Sequence, residues 1–254
     1  MRTQVSKYEI DSYRVNGYVM IPAFLDDGEL AAWRTKADAE VAKSPKGAHF
    51  SIRARGLVDR DDEWASMLKD TRLAQVAAAL EGLDRVRYGG DAISYCDPNC
   101  PPTPWHCGLH EGDKVFDTRQ AIGVQMQLDD NTVQNKAMVF LPGTHKTAPF
   151  GKRFETSPAL DPTRSWEAIF DADPSWRDID PVPALGPAGS ALFWNTATVH
   201  ASGSNMTRFT RRYVGITWIP ADVRWNGTQA NLPDDVVNNL TVGDVLDIPQ
   251  FPLL

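Results

Sequence analysis

The segment that decides the fold reads SALFWNTATVH over residues 190–200 and RRYVGITWIP over residues 211–220. Both parts are rich in β-branched and aromatic residues, which is typical of strands, and polar turn residues separate them. Because side chains alternate along a strand, the second part has a polar face and a mainly apolar face. These two faces are Arg211, Tyr213, Gly215 and Thr217, and Arg212, Val214, Ile216 and Trp218. The polar face suits a barrel interior and the apolar face suits packing against helices, so we assign Arg211 to the interior.

Three earlier stretches are also strand-like, and the chain before them is helical. The three stretches span residues 86–95, 121–130 and 137–145. Before them, Asp26 and Asp70 stand where helix N-caps belong, and Gly82 stands where a helix ends. Helices followed by a run of strands predict a mainly β fold, an antiparallel sandwich backed by helices.

The composition narrows the class of protein. The 254 residues carry a formal net charge of -7, which argues against binding a nucleic-acid polymer through bulk basicity. No stretch approaches the roughly 20 apolar residues that span a bilayer, and the N-terminus lacks the apolar core of a signal peptide. Three cysteines do not make a disulfide framework. We therefore expect one cytoplasmic domain over residues 1–254, which has no membrane partner and no carrier domain.

Two histidines and two glutamines are candidate functional residues. His106 follows Trp105, and His200 stands at the predicted end of the apolar strand in residues 190–200. Each histidine alone is more often a structural residue than a metal ligand, although histidine is also the commonest metal ligand. Gln125 and Gln127 share one strand face, which indicates either a polar site wall or an exposed outer face.

The order of several motifs resembles the phytanoyl-CoA dioxygenase-like family of Fe(II)/2-oxoglutarate oxygenases. GYVMIP at residues 17–22 is similar to the opening of that family, and LPGTHK at residues 141–146 to its Pro-Gly-Ser/Thr-His segment. HASGSN at residues 200–205 is similar to its segment around the distal histidine, and Arg211 follows that histidine by eleven residues. The resemblance implies a double-stranded β-helix, the jelly-roll or cupin-like fold.

The same resemblance implies the ligands of the site. His106 and His200 would bind Fe(II), leaving other positions for 2-oxoglutarate and O₂. Arg211 would hold the distal carboxylate of 2-oxoglutarate in a fork that lysine cannot copy, with Ser202 adding a hydroxyl. We add Gln125, on the polar strand face, as a further cofactor-binding residue.

Gly108 departs from the family's His-x-Asp motif. Glycine has no side chain to ligate iron, and a vacant place beside two neutral imidazoles suits chloride. The His-x-Gly motif resembles that of Fe(II)/2-oxoglutarate halogenases, which replace hydrogen on an unactivated carbon with chlorine. Gly108 is therefore the predicted halide position.

Three alternatives remain at this stage. Glu111 or Asp113 could supply the missing carboxylate and make the protein a hydroxylase. The chain could instead be a jelly roll that binds a ligand without catalysis. A zinc site built from His106 and the cysteines is a third alternative, although its spacing is not a standard one; the cysteines are Cys96, Cys100 and Cys107.

The substrate is predicted from resemblance only. A free-standing enzyme of this frame is similar to nucleotide halogenases of antibiotic biosynthesis, which implies a purine 2′-deoxynucleotide chlorinated on its sugar. Arg53 and Arg55 are candidates to contact its phosphate, and Gln127 is a further candidate substrate contact. The irregular stretch from Lys146 to Pro187 is either a lid over the site or a surface excursion that packs on itself.

Overall fold

The computed structural model describes residues 1–43, 52–108, 115–148, 170, 173–230 and 232–254. Within these residues no helix is both long enough and apolar enough to cross a membrane. Most of the stretch between Lys146 and Pro187, including the greater part of the predicted lid, lies outside the described residues.

Helices form where caps and apolar spacing predict them. The described helices are α1 (Lys7–Asn16), α2 (Asp27–Lys43), α3 (Asp62–Leu68), α4 (Thr71–Glu81) and α5 (Asp234–Val237). The Asp70 side chain accepts from the backbone of Arg72 and so caps α4, and Gly82 ends that helix at φ 82°. Because a left-handed φ favours glycine, both predicted boundaries of this helix are confirmed.

The strands form two antiparallel sheets. They are β1 (Tyr18–Ile21), β2 (Ile52–Arg55), β3 (Val86–Cys96), β4 (Thr103–His106), β5 (Ile122–Gln127), β6 (Met138–Phe140), β7 (Val182–Pro183), β8 (Ala191–Asn195), β9 (His200–Ser202) and β10 (Arg211–Pro220). The larger sheet has the order β1-β8-β5-β10-β3-β2, and the smaller has the order β4-β9-β6-β7. The predicted class, mainly β with flanking helices in a double-stranded β-helix, is confirmed.

The larger sheet carries the helices on its outer face. Val214, Ile216 and Trp218 of β10 are buried in one cluster with Trp33 of α2 and Trp64 of α3. This burial confirms the predicted apolar face of β10, and burying these side chains stabilises the contact between helices and sheet. The opposite face of β10 therefore points toward the smaller sheet.

The prediction that His200 ends an apolar strand is wrong. The strand β8 ends at Asn195, whose side-chain oxygen accepts from the backbone N–H of Ala197 at 2.9 Å. The N–H of Thr198 donates to the carbonyl of Asn195, which closes a turn. His200 then begins β9 in the smaller sheet. The continuous apolar run hid this turn because its residues are themselves buried.

Candidate metal and co-substrate site

The two candidate metal ligands face each other on neighbouring strands. His106 is the last residue of β4 and His200 the first of β9, and the two are Cα partners in the antiparallel ladder. Their ring centroids are 4.2 Å apart. The sheet thus brings together two imidazoles that are 94 residues apart in the chain, within reach of one ion.

Backbone carbonyls fix the tautomer of both rings. Nδ1 of His106 lies 2.8 Å from the carbonyl oxygen of Pro104, and Nδ1 of His200 lies 2.8 Å from that of Thr198. A carbonyl only accepts, so each Nδ1 carries a proton, and in the neutral ring this leaves the lone pair on Nε2. Neutral imidazoles oriented in this way are the usual form of metal-bound histidine, so the pair fits an Fe(II) ion.

Gly108 lies in the wall beside these histidines. Its N–H donates to the carbonyl of Thr196 at 2.6 Å, and the residue is buried. Glu111 and Asp113 lie outside the described residues, so the prediction that one of them replaces the carboxylate stays a prediction. The third position of the motif is therefore a buried glycine, Gly108, without a side chain that could bind a metal.

The zinc alternative is not assembled. Among the described residues no three or more His, Cys, Asp or Glu side chains come together as a metal site. Cys107 packs instead with Leu141 and Trp176 in an apolar cluster.

Arg211 is buried with polar partners but without an acid. Its Nη1 donates to the carbonyl of Lys136 at 2.9 Å, and its Nη2 donates to the Oε1 atoms of Gln127 at 2.7 Å and Gln125 at 3.3 Å. The side chain is 2% exposed and forms no ion pair with any described residue. Burial lowers the pKa of the Arg211 guanidinium.

The Nε atom of Arg211 adds a second observation. It is buried and has no acceptor among the described residues. An unmatched N–H on a buried cation is costly unless a ligand supplies an acceptor, and a carboxylate would meet both the charge and the N–H. The donor set therefore fits the distal carboxylate of 2-oxoglutarate.

A cavity of about 940 Å³ lies between the two sheets and reaches His106, Gly108 and His200. Ser202 and Gln125 also line it. Aromatic rings form much of the remaining wall: Tyr88, Trp105, Phe116, Trp194, Tyr213 and Phe251. Its volume is near the upper end of ordinary small-molecule pockets, so it has room for a second, larger molecule beside a co-substrate.

Comparison with known families identifies the protein family to which this site belongs. The profile of the phytanoyl-CoA dioxygenase family, PhyH, matches residues 13–213, which include both histidines and Arg211. The chain belongs to the phytanoyl-CoA dioxygenase family. This family is one of Fe/2-oxoglutarate-dependent oxygenases, and the family resemblance seen in the sequence is confirmed.

Individual relatives show how far the similarity extends. The probable alpha-ketoglutarate-dependent hypophosphite dioxygenase of Stutzerimonas stutzeri is 27% identical over 161 residues, which are 62% of this chain and 53% of that protein. The chain thus matches about half the length of that relative. The carbocyclase SnoK from nogalamycin biosynthesis is 22% identical, with a TM-score of 0.78 and coverage of 99% of this chain and 97% of the other. The epimerase SnoN, solved with Fe3+, alpha ketoglutarate and nogalamycin RO, is 21% identical with a TM-score of 0.75, each chain being covered over 97%. These two structures support the fold.

Within this family member, most of the predicted site residues come together at the cavity. Besides the histidines and Gly108, they are Ser202, Gln125 and Arg55. The side chain of Arg53 lies outside the described part of the structure. Gln127 and Arg211 are not among the residues that line the cavity: both are buried, and the Gln127 side-chain oxygen accepts from Arg211. A substrate contact of Gln127 stays a prediction, and its side-chain oxygen is engaged by Arg211.

The sequence analysis did not identify Asp91 as a residue of the cavity wall. The carboxylate accepts from the backbone N–H groups of Leu57 at 2.9 Å and Val58 at 3.2 Å, and from the hydroxyl of Tyr88. It thereby holds the turn at Leu57–Asp59 against the cavity wall. The paired glycines just before Asp91 were the available signal, because glycine inside a strand often marks a bulge that redirects a side chain.

A half-buried carboxylate also supports the turn that leads to His200. Glu81 accepts from the hydroxyl of Tyr13 at 2.7 Å and from the side-chain nitrogen of Asn195 at 3.1 Å. Burial raises the pKa of Glu81 above its ordinary value. The folded state therefore binds the Glu81 proton more tightly than the unfolded state does.

Replacing Glu81 with glutamine gives a pH-dependent change in stability. The wild-type free energy of unfolding should fall as pH rises from about 4.5 through the raised pKa of Glu81, because the folded state must then hold a charge that is partly removed from water. Glu81→Gln should remove that part of the fall, as measured by urea unfolding at a series of pH values. Glu9→Gln is the control. Burial raises the pKa of Glu9, but hydrogen bonds from Arg2 and Ser6 outweigh it and lower that pKa. The contribution of Glu9 to the free energy of unfolding should therefore be lost as pH falls. Parallel pH profiles of wild type and Glu81→Gln would contradict the assignment.

Proposed function

We propose that this protein is an Fe(II)/2-oxoglutarate-dependent halogenase that replaces an unactivated C–H hydrogen of a small molecule with chlorine. The observation that carries the proposal is Gly108, a residue without a side chain in the cavity wall, beside two facing histidines. The net reaction consumes the C–H compound, chloride, a proton, O₂ and 2-oxoglutarate. It yields the C–Cl compound, succinate, CO₂ and water.

Each residue has a part in this chemistry. The iron, with 2-oxoglutarate and O₂, supplies the oxidising power that breaks the C–H bond. His106 and His200 would hold the ion through Nε2, since their Nδ1 atoms are committed to carbonyls. Arg211 would bind the distal carboxylate of 2-oxoglutarate, with Ser202 in the adjoining wall. Gly108 leaves space, and it leaves the charge of the ion less compensated than an aspartate would, which favours a halide there.

The cavity supports a substrate larger than the co-substrate. Arg55 and Lys69 line it, and neither forms an ion pair with a described residue. Aromatic walls offer stacking surfaces and the two cations offer phosphate contacts. A purine 2′-deoxynucleotide, with a ring, a sugar and a phosphate, matches this combination and is the first substrate to test.

A hydroxylase is the second candidate, because Glu111 and Asp113 follow Gly108 closely in the chain. Turnover with Fe(II), 2-oxoglutarate, O₂ and chloride separates the two. A halogenase gives a product with the isotope pattern of chlorine, in an amount that rises with chloride concentration. A hydroxylated product that does not respond to chloride contradicts halogenation. Absence of succinate with every candidate substrate, in iron-loaded protein, would instead indicate the non-catalytic jelly roll.

A further inference from the structure

Lys136 is a second buried cation beside Arg211. Lys136 lies just before β6, and the residue is only 3% exposed. Its backbone has φ 76°, a left-handed conformation that a non-glycine residue rarely adopts. A lysine that is buried and strained at the same position indicates a specific role for its side chain.

The Lys136 ammonium joins the two strands that carry the histidines. Nζ donates to the carbonyl of Pro101, to Oγ1 of Thr103 at 3.2 Å, and to the carbonyl of Gly203 at 3.3 Å. Thr103 begins β4, and Gly203 directly follows the end of β9. These three neutral oxygens hold the ammonium in place without cancelling its charge.

The charge of Lys136 adds to that of Arg211. The carbonyl of Lys136 accepts from Nη1 of Arg211 at 2.9 Å, so the two residues are in direct contact. Neither forms an ion pair within the described part of the chain. Burial lowers the pKa of Lys136; Cys100 and Cys96 act against this effect, and repulsion from Arg211 adds to it. Two like charges buried together are unfavourable unless an anion joins them.

We propose that Lys136 is a positioning residue of the co-substrate site, which supplies a second positive charge for the distal carboxylate and fixes Arg211 through its backbone carbonyl. The inference rests on the proposed binding of 2-oxoglutarate. Lys136 acts from behind Arg211, because its own three hydrogen bonds are already made within the protein. Its effect should therefore depend on the charge of the ligand and little on the rest of the ligand.

The test compares two 2-oxo acids in protein loaded with Mn(II). 2-Oxoglutarate has the distal carboxylate, and 2-oxopentanoate lacks it. Calorimetry gives both dissociation constants for wild type and Lys136→Met. We expect Lys136→Met to weaken the binding of 2-oxoglutarate by about ten-fold or more and to leave the binding of 2-oxopentanoate nearly unchanged. The dissociation constant of 2-oxopentanoate divided by that of 2-oxoglutarate should therefore fall.

Lys136→Gly is the second variant, because glycine accepts the left-handed backbone and keeps the fold where methionine could disturb it. An equal loss of affinity for both acids, or no loss, in a folded variant overturns the role of Lys136. If wild type itself does not distinguish the two acids, the co-substrate site is wrongly placed, and the proposed function fails with it. Discrimination in wild type that persists unchanged in both variants overturns the Lys136 proposal alone.

Discussion

Arg211→Met should lower the affinity for 2-oxoglutarate by at least about 100-fold. A charge-assisted hydrogen bond contributes roughly 1.5–3 kcal/mol, and a fork to a carboxylate makes two of them. The guanidinium is held by Gln127, Gln125 and the carbonyl of Lys136, so it is already oriented before a ligand arrives. Calorimetry with Mn(II)-loaded protein measures the change directly, without turnover.

The neighbouring Arg212 provides a matched control. It lies on the opposite face of β10, where it pairs with Asp129 at 2.6 Å and Asp38 at 2.9 Å. Arg212→Met should lower stability but leave 2-oxoglutarate affinity within about two-fold, since these ion pairs are partly exposed and remote from the cavity. Arg211→Lys should fall between the two, because lysine keeps the charge and loses the fork. Loss of 2-oxoglutarate binding in Arg212→Met but not in Arg211→Met would show that the faces of β10 are assigned wrongly.

Gly108→Asp should suppress chlorination by about 100-fold or more, which corresponds to roughly 2.7 kcal/mol in the barrier. The new carboxylate would take the third position of the motif and reduce the positive charge that attracts chloride. The bond from the Gly108 N–H to Thr196 fixes the backbone, so the added side chain has a defined origin. Chlorinated and hydroxylated products are quantified by mass spectrometry over a range of chloride concentrations.

Gly108→Ala separates charge from bulk. Alanine adds a methyl group without a ligand atom, so chlorination should persist and keep its dependence on chloride. Persistent chlorination in Gly108→Asp would place the halide elsewhere. Equal loss in both variants would mean that the position tolerates no side chain, and the halide assignment would then lose its support.

The predictable parts of the fold are those with local signals. The alternation along residues 211–220 predicted which of two adjacent arginines is buried, because a strand has a strict period of two. The helix between Asp70 and Gly82 was bounded by its caps. Helix α1 also begins at a local signal, the capping box formed by Ser6 and Glu9.

The parts that could not be predicted depend on distant segments. Nothing near Lys136 in the chain indicates that oxygens from residues 101–103 and Gly203 will surround its ammonium. The sequence left open whether Gln127 lies in a site wall or on an outer face, and its burial beside Arg211 depends on a residue that lies 84 residues later. Residue spacing and periodicity predict which side chains share one face of a helix or strand. They do not predict which other segment of the chain packs against that face.

The cavity has a consequence for how proteins of this frame diversify. The histidines belong to the smaller sheet and Arg211 to the larger one, whereas much of the outer wall comes from the turn at Leu57–Asp59 and from residues 249–252. These wall segments supply none of the proposed ligands for iron or 2-oxoglutarate. Substitutions there can accumulate without disturbing the oxidising centre, so new molecular shapes can be admitted while the same reactive core is inherited unchanged.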